Sequence, residues 1–227
     1  MADDRFMTTP RSGPYIWVAW LSRLMVGERS CEWASWFKAH YKNYARVPST
    51  FDSAAWQMRH TALLNEVRIR LERDTNTAVF TEGQNHFNLR GSSGTMLSGR
   101  PDLVALRAEN EGRIYDIKTG QPKASDHVQV MIYMYALPHA FKQYREIAFD
   151  GMVVYEDHEA PVPSSATDEA FKDNLAALIR RIAADAQARR VPSVLDCRFC
   201  DITVADCPER IEKEEDEDED VQEVDDF

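Results

Sequence analysis

The sequence predicts an α/β (α+β) protein in which a mixed β-sheet core is flanked by helical parts at both ends. Three observations carry that reading. Apolar residues recur at helical spacing between residues 14 and 73, short β-rich segments fill residues 77–118, and an amphipathic helical pattern returns at residues 168–190. Helices, then strands, then helices in a chain of 227 residues fit one domain with a tail. With 44% hydrophobic and 10% aromatic residues there is material for a real core, which excludes wholesale disorder.

Ser12-Gly13-Pro14 is a helix-start signal, and the apolar run Tyr15–Val26 is expected to be the first helix, ended by Gly27. A second helix is expected from Cys31 to about Tyr44, closed by the turn at Pro48. Asp52 or Ser53 can cap a third, running to about Arg73, whose Trp56, His60, Leu63, Leu64, Val67 and Leu71 share one stripe. His60 therefore points inward. Strands are expected at Thr77–Phe80, Gln84–Leu89, Pro101–Ala108 and Arg113–Lys118, the last two joined by a turn at Glu109–Gly112. A buried helix over Ser125–Leu137, a strand over Ile147–Tyr155 and a helix from Asp168 to about Arg190 complete the pattern.

The formal net charge of −11 at first argues against a polyanionic partner. Its distribution removes the objection. Residues Ile211–Phe227 hold eleven acids and one lysine, leaving 27 acids and 26 bases over residues 1–210. A block of like charge with little apolar content repels itself, so 211–227 is expected to be a disordered acidic tail. Residues 1–13 are read as a flexible N-terminus and 14–210 as the folded domain. The N-terminus has acids where a signal peptide needs bases, and Tyr15–Val26 is too short and polar to span a bilayer, so a soluble, intracellular protein with no membrane partner is expected. Four cysteines in such a chain point to metal ligands or free thiols before disulfides.

The stretch Gly99–Tyr133 carries the chemistry. Residues i and i+2 of a strand face the same side, so Asp116 and Lys118 project together, and pairing of the two strands brings Asp102 to the same patch. Two carboxylates and an amine at a sheet end suit a hard divalent cation with a water beside it. D-x-K alone is commonplace, since a turn aspartate and an exposed ion pair look the same. Gln129 and Tyr133 form an i, i+4 pair on the helix that follows.

In combination, GRPDLV, a strand pair and DIKTG resemble the PD-(D/E)XK nuclease superfamily, with Pro101-Asp102 and Asp116-Ile117-Lys118 matching its two signature elements. The resemblance implies a restriction-endonuclease-like core and a Mg²⁺- or Mn²⁺-dependent deoxyribonuclease with Asp102, Asp116 and Lys118 as catalytic residues. The Q-x-x-x-Y of Gln129 and Tyr133 narrows it to the RecB-like branch, where this motif positions the DNA strand. His60, 42 residues before Asp102, then falls where that branch supplies an extra metal ligand, with His86 and Glu66 as competitors. The implied metal site is His60, Asp102, Asp116 and the Ile117 carbonyl. An exonuclease acting on single strands or duplex ends is implied, in recombination, repair, phage replication or CRISPR adaptation, in the cytoplasm of a bacterial or phage-infected cell. A catalytically silent DNA-binding or partner-recruiting subunit is the alternative.

Cys197-x2-Cys200-x6-Cys207 plus the remote Cys31 would make a four-ligand site if the two ends of the chain meet. One cysteine before the nuclease motifs and three after resembles the iron–sulfur nucleases of the Cas4 and AddB kind, which implies a [4Fe–4S] cluster, with structural Zn²⁺ as the alternative. Trp17, Trp20, Trp33 and Trp36 are read as core, with stacking on unpaired bases as the alternative. The acidic tail ending in Phe227 is similar to the tips of single-stranded DNA-binding proteins that dock on replication or recombination partners. A solubilising tail, or one that competes for the protein's own DNA groove, are the other readings.

Overall fold

The computed structural model describes residues 8–107 and 110–212. The chain opens with β1 (Thr9–Pro10) and β2 (Tyr15–Trp17), then α1 (Val18–Met25), α2 (Glu32–His40) and β3 (Tyr41–Lys42). The long helix α3 (Ser53–Glu72) is followed by β4 (Ala78–Thr81) and the single turn α4 (Glu82–Asn85). Four strands come next: β5 (Phe87–Arg90), β6 (Met96–Gly99), β7 (Leu103–Arg107) and β8 (Glu111–Ile117). Then follow α5 (Ala124–Ala140), β9 (Ala148–Val154), β10 (Glu159–Val162), α6 (Glu169–Ala183) and α7 (Val194–Arg198). Residues 1–7, residues 108–109 and the acidic segment 213–227 with Phe227 lie outside the described residues.

The mixed α/β architecture is as the sequence predicts. A five-stranded sheet runs in the order β10-β9-β8-β7-β4, with β8 and β9 parallel and the other pairs antiparallel. A three-stranded sheet, β2-β6-β5, lies beside it. Side-chain alternation divides the large sheet into two faces. Val104, Ile114, Phe149 and Val153 pack with α5, α1 and α6 in the main core. Leu103, Ala105, Tyr115 and Ile117 pack with Val67 and Leu71 of α3 in a second core.

Three sequence expectations are corrected. Tyr15–Trp17 is a strand rather than the first turn of a helix, because it pairs in parallel with Met96–Ser98 and Pro14 O accepts from Met96 N at 2.8 Å. An apolar run carries no periodicity to tell the two apart. Glu111 and Gly112, expected in the hairpin turn, belong to β8 and pair with Arg107 and Leu106, and Asn110 just before them has φ 65°. The helix expected to reach Arg190 stops at Ala183, because α2 takes the acceptors beyond it. Trp36 Nε1 donates to Ala184 O, Trp33 Nε1 to Gln187 Oε1 and Trp33 N to Arg189 O.

Candidate active site

Asp102 precedes β7, whose register pairs Leu103 with Tyr115, so the next pair places Asp102 opposite Asp116. Asp102 Oδ2 accepts from Ile117 N at 2.7 Å, which folds its carboxylate over the end of β8. Asp116 is 2% exposed and Asp102 8%. Lys118 continues the β8 line, its N donating to Val154 O, and its Nζ lies 2.7 Å from Asp116 Oδ2. The strand-parity expectation therefore holds.

Two helices complete the floor. From α3, capped by Asp52 through Ala55 N, His60 Nε2 reaches 3.5 Å from Asp102 Oδ2. From α5, Gln129 Nε2 donates to Asp116 Oδ1 and to Tyr133 Oη, both at 3.1 Å. The N-terminus of α5 is itself held from two sides. Glu28 accepts from Ser125 N and Oγ, and Asp126 accepts from Lys123 N and from Tyr155 Oη. Acids at a helix N-terminus satisfy open N–H groups and complement the helix dipole. Gly99 lets β6 pass close to this helix, since a Cβ there would lie 2.8 Å from Tyr133 Cε1.

Burial pushes the Asp116 carboxyl up to about 6; Lys118 opposes that rise and the negative charge of Asp102 adds to it. The hydrogen bond to Asp102 raises His60 against the desolvation that would lower it. For Lys118, burial disfavours the charge, but Asp116, Asp102 and Asp126 together hold the ammonium above its ordinary value. Asp116 Oδ2, though close to Lys118, has no aligned hydrogen bond and is buried.

That orphaned oxygen beside a second carboxylate is where a hard divalent cation fits. Among the described residues no three His, Cys, Asp or Glu side chains form a ready metal cage. Mg²⁺ commonly takes one or two carboxylates and completes its shell with water and substrate phosphate, which is what this floor offers. The floor opens into a cleft of ≈ 630 Å³ whose walls carry Arg23, Arg59, Arg100 and Lys123.

A model of the PD-(D/E)XK nuclease superfamily matches residues 21–205. The chain belongs to this superfamily. Among solved structures, that of SSO0001 is similar over 90% of this chain and 90% of that one, at 18% identity and a TM-score of 0.44. An alkaline exonuclease, LHK-Exo, from Laribacter hongkongensis matches 74% of this chain and 87% of its own, at 12% identity and a TM-score of 0.42. No curated protein matches the chain.

Within the PD-(D/E)XK frame, the fold brings Asp102, Asp116, Lys118, Gln129, Tyr133 and His60 together. His86 and Glu66 lie elsewhere: His86 stacks on Trp17 and is exposed, and Glu66 is exposed on α3. The four cysteines, all free, line one cavity of ≈ 70 Å³ between α2 and the C-terminal segment. Cys31 Sγ accepts from Val191 N and Cys197 Sγ from Ile211 N, while burial pushes the Cys200 and Cys207 thiols up. Trp33 and Trp36 are buried, and Trp17 and Trp20 half-buried against His86 and Lys38. Sequence reasoning missed Glu28 and Asp126, whose only signal is an acid near a helix start. It also missed the aromatic pair Phe51 and Trp56 on the cleft wall. No helix among the described residues is long and apolar enough to cross a membrane.

Proposed function

We propose that the chain is a Mg²⁺- or Mn²⁺-dependent deoxyribonuclease, an exonuclease on single strands or duplex ends, with residues 14–210 as its nuclease domain. The observation that carries this reading is the convergence of Asp102, Asp116, Lys118 and Gln129 on the floor of a basic-rimmed cleft. Asp102 and Asp116 would hold the ion, with His60 and the Ile117 carbonyl as further donors. When bound, the ion supplies a Lewis acid for a phosphoryl oxygen and lowers the pKa of water.

The chain's own groups do the rest. Lys118, charged and partly exposed, offsets negative charge growing on the scissile phosphate and orients the attacking water by donating to it. Gln129 fixes the Asp116 carboxylate and is itself held by Tyr133, so the pair sets the edge along which a strand is steered. Arg23, Arg59, Arg100 and Lys123 bring the phosphate backbone to the floor. The pathway is recombination, repair, phage replication or CRISPR adaptation. Truncation after Arg210 tests the acidic tail ending in Phe227. Unchanged DNA affinity at low salt counts against competition for the groove and leaves docking on a replication or recombination partner or a solubilising role.

We assign the four cysteines to a [4Fe–4S] cluster, or Zn²⁺ in its place: all four residues line one cavity and two of the sulfurs accept backbone N–H groups, while among the described residues the thiols are not drawn together as a ready cage. Iron and sulfide contents near four per chain support the cluster; zinc alone sinks it. For catalysis, labelled single-stranded DNA should be degraded with Mn²⁺ by the wild type and not by Asp116→Ala. Wild-type protein that cleaves no DNA with any divalent metal would overturn the nuclease reading.

A further inference from the structure

One wall of the cleft carries an aromatic series that no hydrogen-bonding role explains. Phe51 is 61% exposed although it lies directly before α3, and its ring is 6.3 Å from that of the half-buried Trp56. Trp56 in turn stacks on His60, centroids 5.0 Å apart and planes 28° apart. His60 Nε2 is 3.5 Å from Asp102. The three rings thus form a staircase from solvent to the carboxylates, with Trp56 and His60 one helical turn apart on α3. Phe51 and Trp56 both face the cleft, as do the exposed Arg59 and Arg100, the latter ion-paired with Glu82 at 3.3 Å on the same wall.

Exposure of one phenylalanine is ordinary on a protein surface. Here its ring sits at the mouth of a polar cleft beside a second aromatic ring, so two flat apolar faces are open to a ligand there. The surroundings define that ligand. Guanidinium groups beside aromatic faces match a chain of phosphates carrying planar bases, and base faces are free for stacking only where the strand is unpaired. In a duplex each face is already covered by its neighbour.

We propose that Phe51 and Trp56 are a base-stacking platform for single-stranded DNA, seating the bases next to the scissile phosphate while Arg59 and Arg100 hold the flanking phosphates. The proposal rests on the nuclease reading above and assigns it an unpaired substrate strand at this wall. Stacking gives α3 two tasks, since the helix that supplies His60 also sets the distance between the last stacked base and Asp102.

The test is equilibrium binding, by fluorescence anisotropy in EDTA, of a labelled twelve-residue oligothymidylate, an abasic strand of equal length and a duplex. The wild type should bind the natural strand roughly 5- to 150-fold more tightly than the abasic one, the span of one stacked base. Phe51→Ala and Trp56→Ala should each lose most of that difference while leaving abasic binding unchanged, and Phe51→Tyr should keep it. Arg59→Ala and Arg100→Ala should weaken both strands and flatten the salt dependence by about one phosphate contact each. Should Trp56→Ala fail to fold, the exposed Phe51 carries the test alone. Equal affinity for natural and abasic strands, or a folded Phe51→Ala protein that binds like wild type, overturns the platform. Base-dependent binding without hydrolysis under Mg²⁺ or Mn²⁺ leaves the platform standing and removes the nuclease reading; hydrolysis without base dependence does the reverse.

Discussion

Asp116 shows what the site costs the fold. Burial, with the charge of Asp102 beside it, pushes its carboxyl up from the ordinary 3.8 to about 6 in the folded chain. Below pH 4 both folded and unfolded chains hold the proton. Between about 4 and 6 the unfolded chain loses it first, so stability falls as pH rises through that range and is flat above. Asp116→Asn removes that slope. In metal-free buffer its melting temperature, relative to wild type, should climb between pH 4.5 and pH 8; a constant difference would show that the carboxyl is not strained. At this scale much of the site was legible. Asp102, Asp116 and Lys118 could be placed by strand parity, and Gln129 and Tyr133 by helix spacing. Phe51 and Trp56 were not, because a tryptophan at helical spacing reads as core, and only the tertiary position of α3 shows that Trp56 faces a cleft.

At the scale of the elements, the site depends on how closely α5 lies on the sheet. Gly151 of β9 faces that helix, and a Cβ there would sit 2.2 Å from Val130 Cγ1 and 3.3 Å from Met134 Sδ. Gly151→Ala must push α5 outward or force off-rotamer side chains, a cost of about 1–3 kcal/mol. Because Gln129 is on the same helix, the variant should lose DNA cleavage by more than its stability loss predicts at a temperature where it stays folded. A folded variant with wild-type turnover would show that α5 can shift without disturbing Gln129. The elements legible in the sequence were those with a strong period or cap, as at α3 with Asp52 and α6 with Asp168. Tyr15–Trp17 and Met96–Gly99 escaped because a three- or four-residue strand has too few residues to show alternation; only their mutual pairing defines them.

Over the whole molecule, α2 with the loop that follows it and the segment after α6 form a seam. Trp36 Nε1 donates to Ala184 O at 2.8 Å, Tyr44 Oη to Asp201 Oδ2 at 3.0 Å, and Val47 N to Asp201 O at 2.9 Å. Trp36→Phe deletes one buried donor and part of a ring, which should cost about 1–3 kcal/mol. The urea midpoint should fall with the slope unchanged, since the seam is shared by both ends and unfolds with the body. A separate early transition would show that the C-terminal segment is an appendage.

The same seam has a meaning for synthesis. Trp33 and the Gln187 that caps its indole are 154 residues apart. At ordinary elongation rates that gap lasts roughly 8–30 s. During that interval the apolar face of α2, with Trp33, Trp36 and Phe37, has left the ribosome without the segment that covers it. The vulnerable species for this protein is therefore the growing chain, in which Trp33 of α2 waits for a partner made 154 residues later.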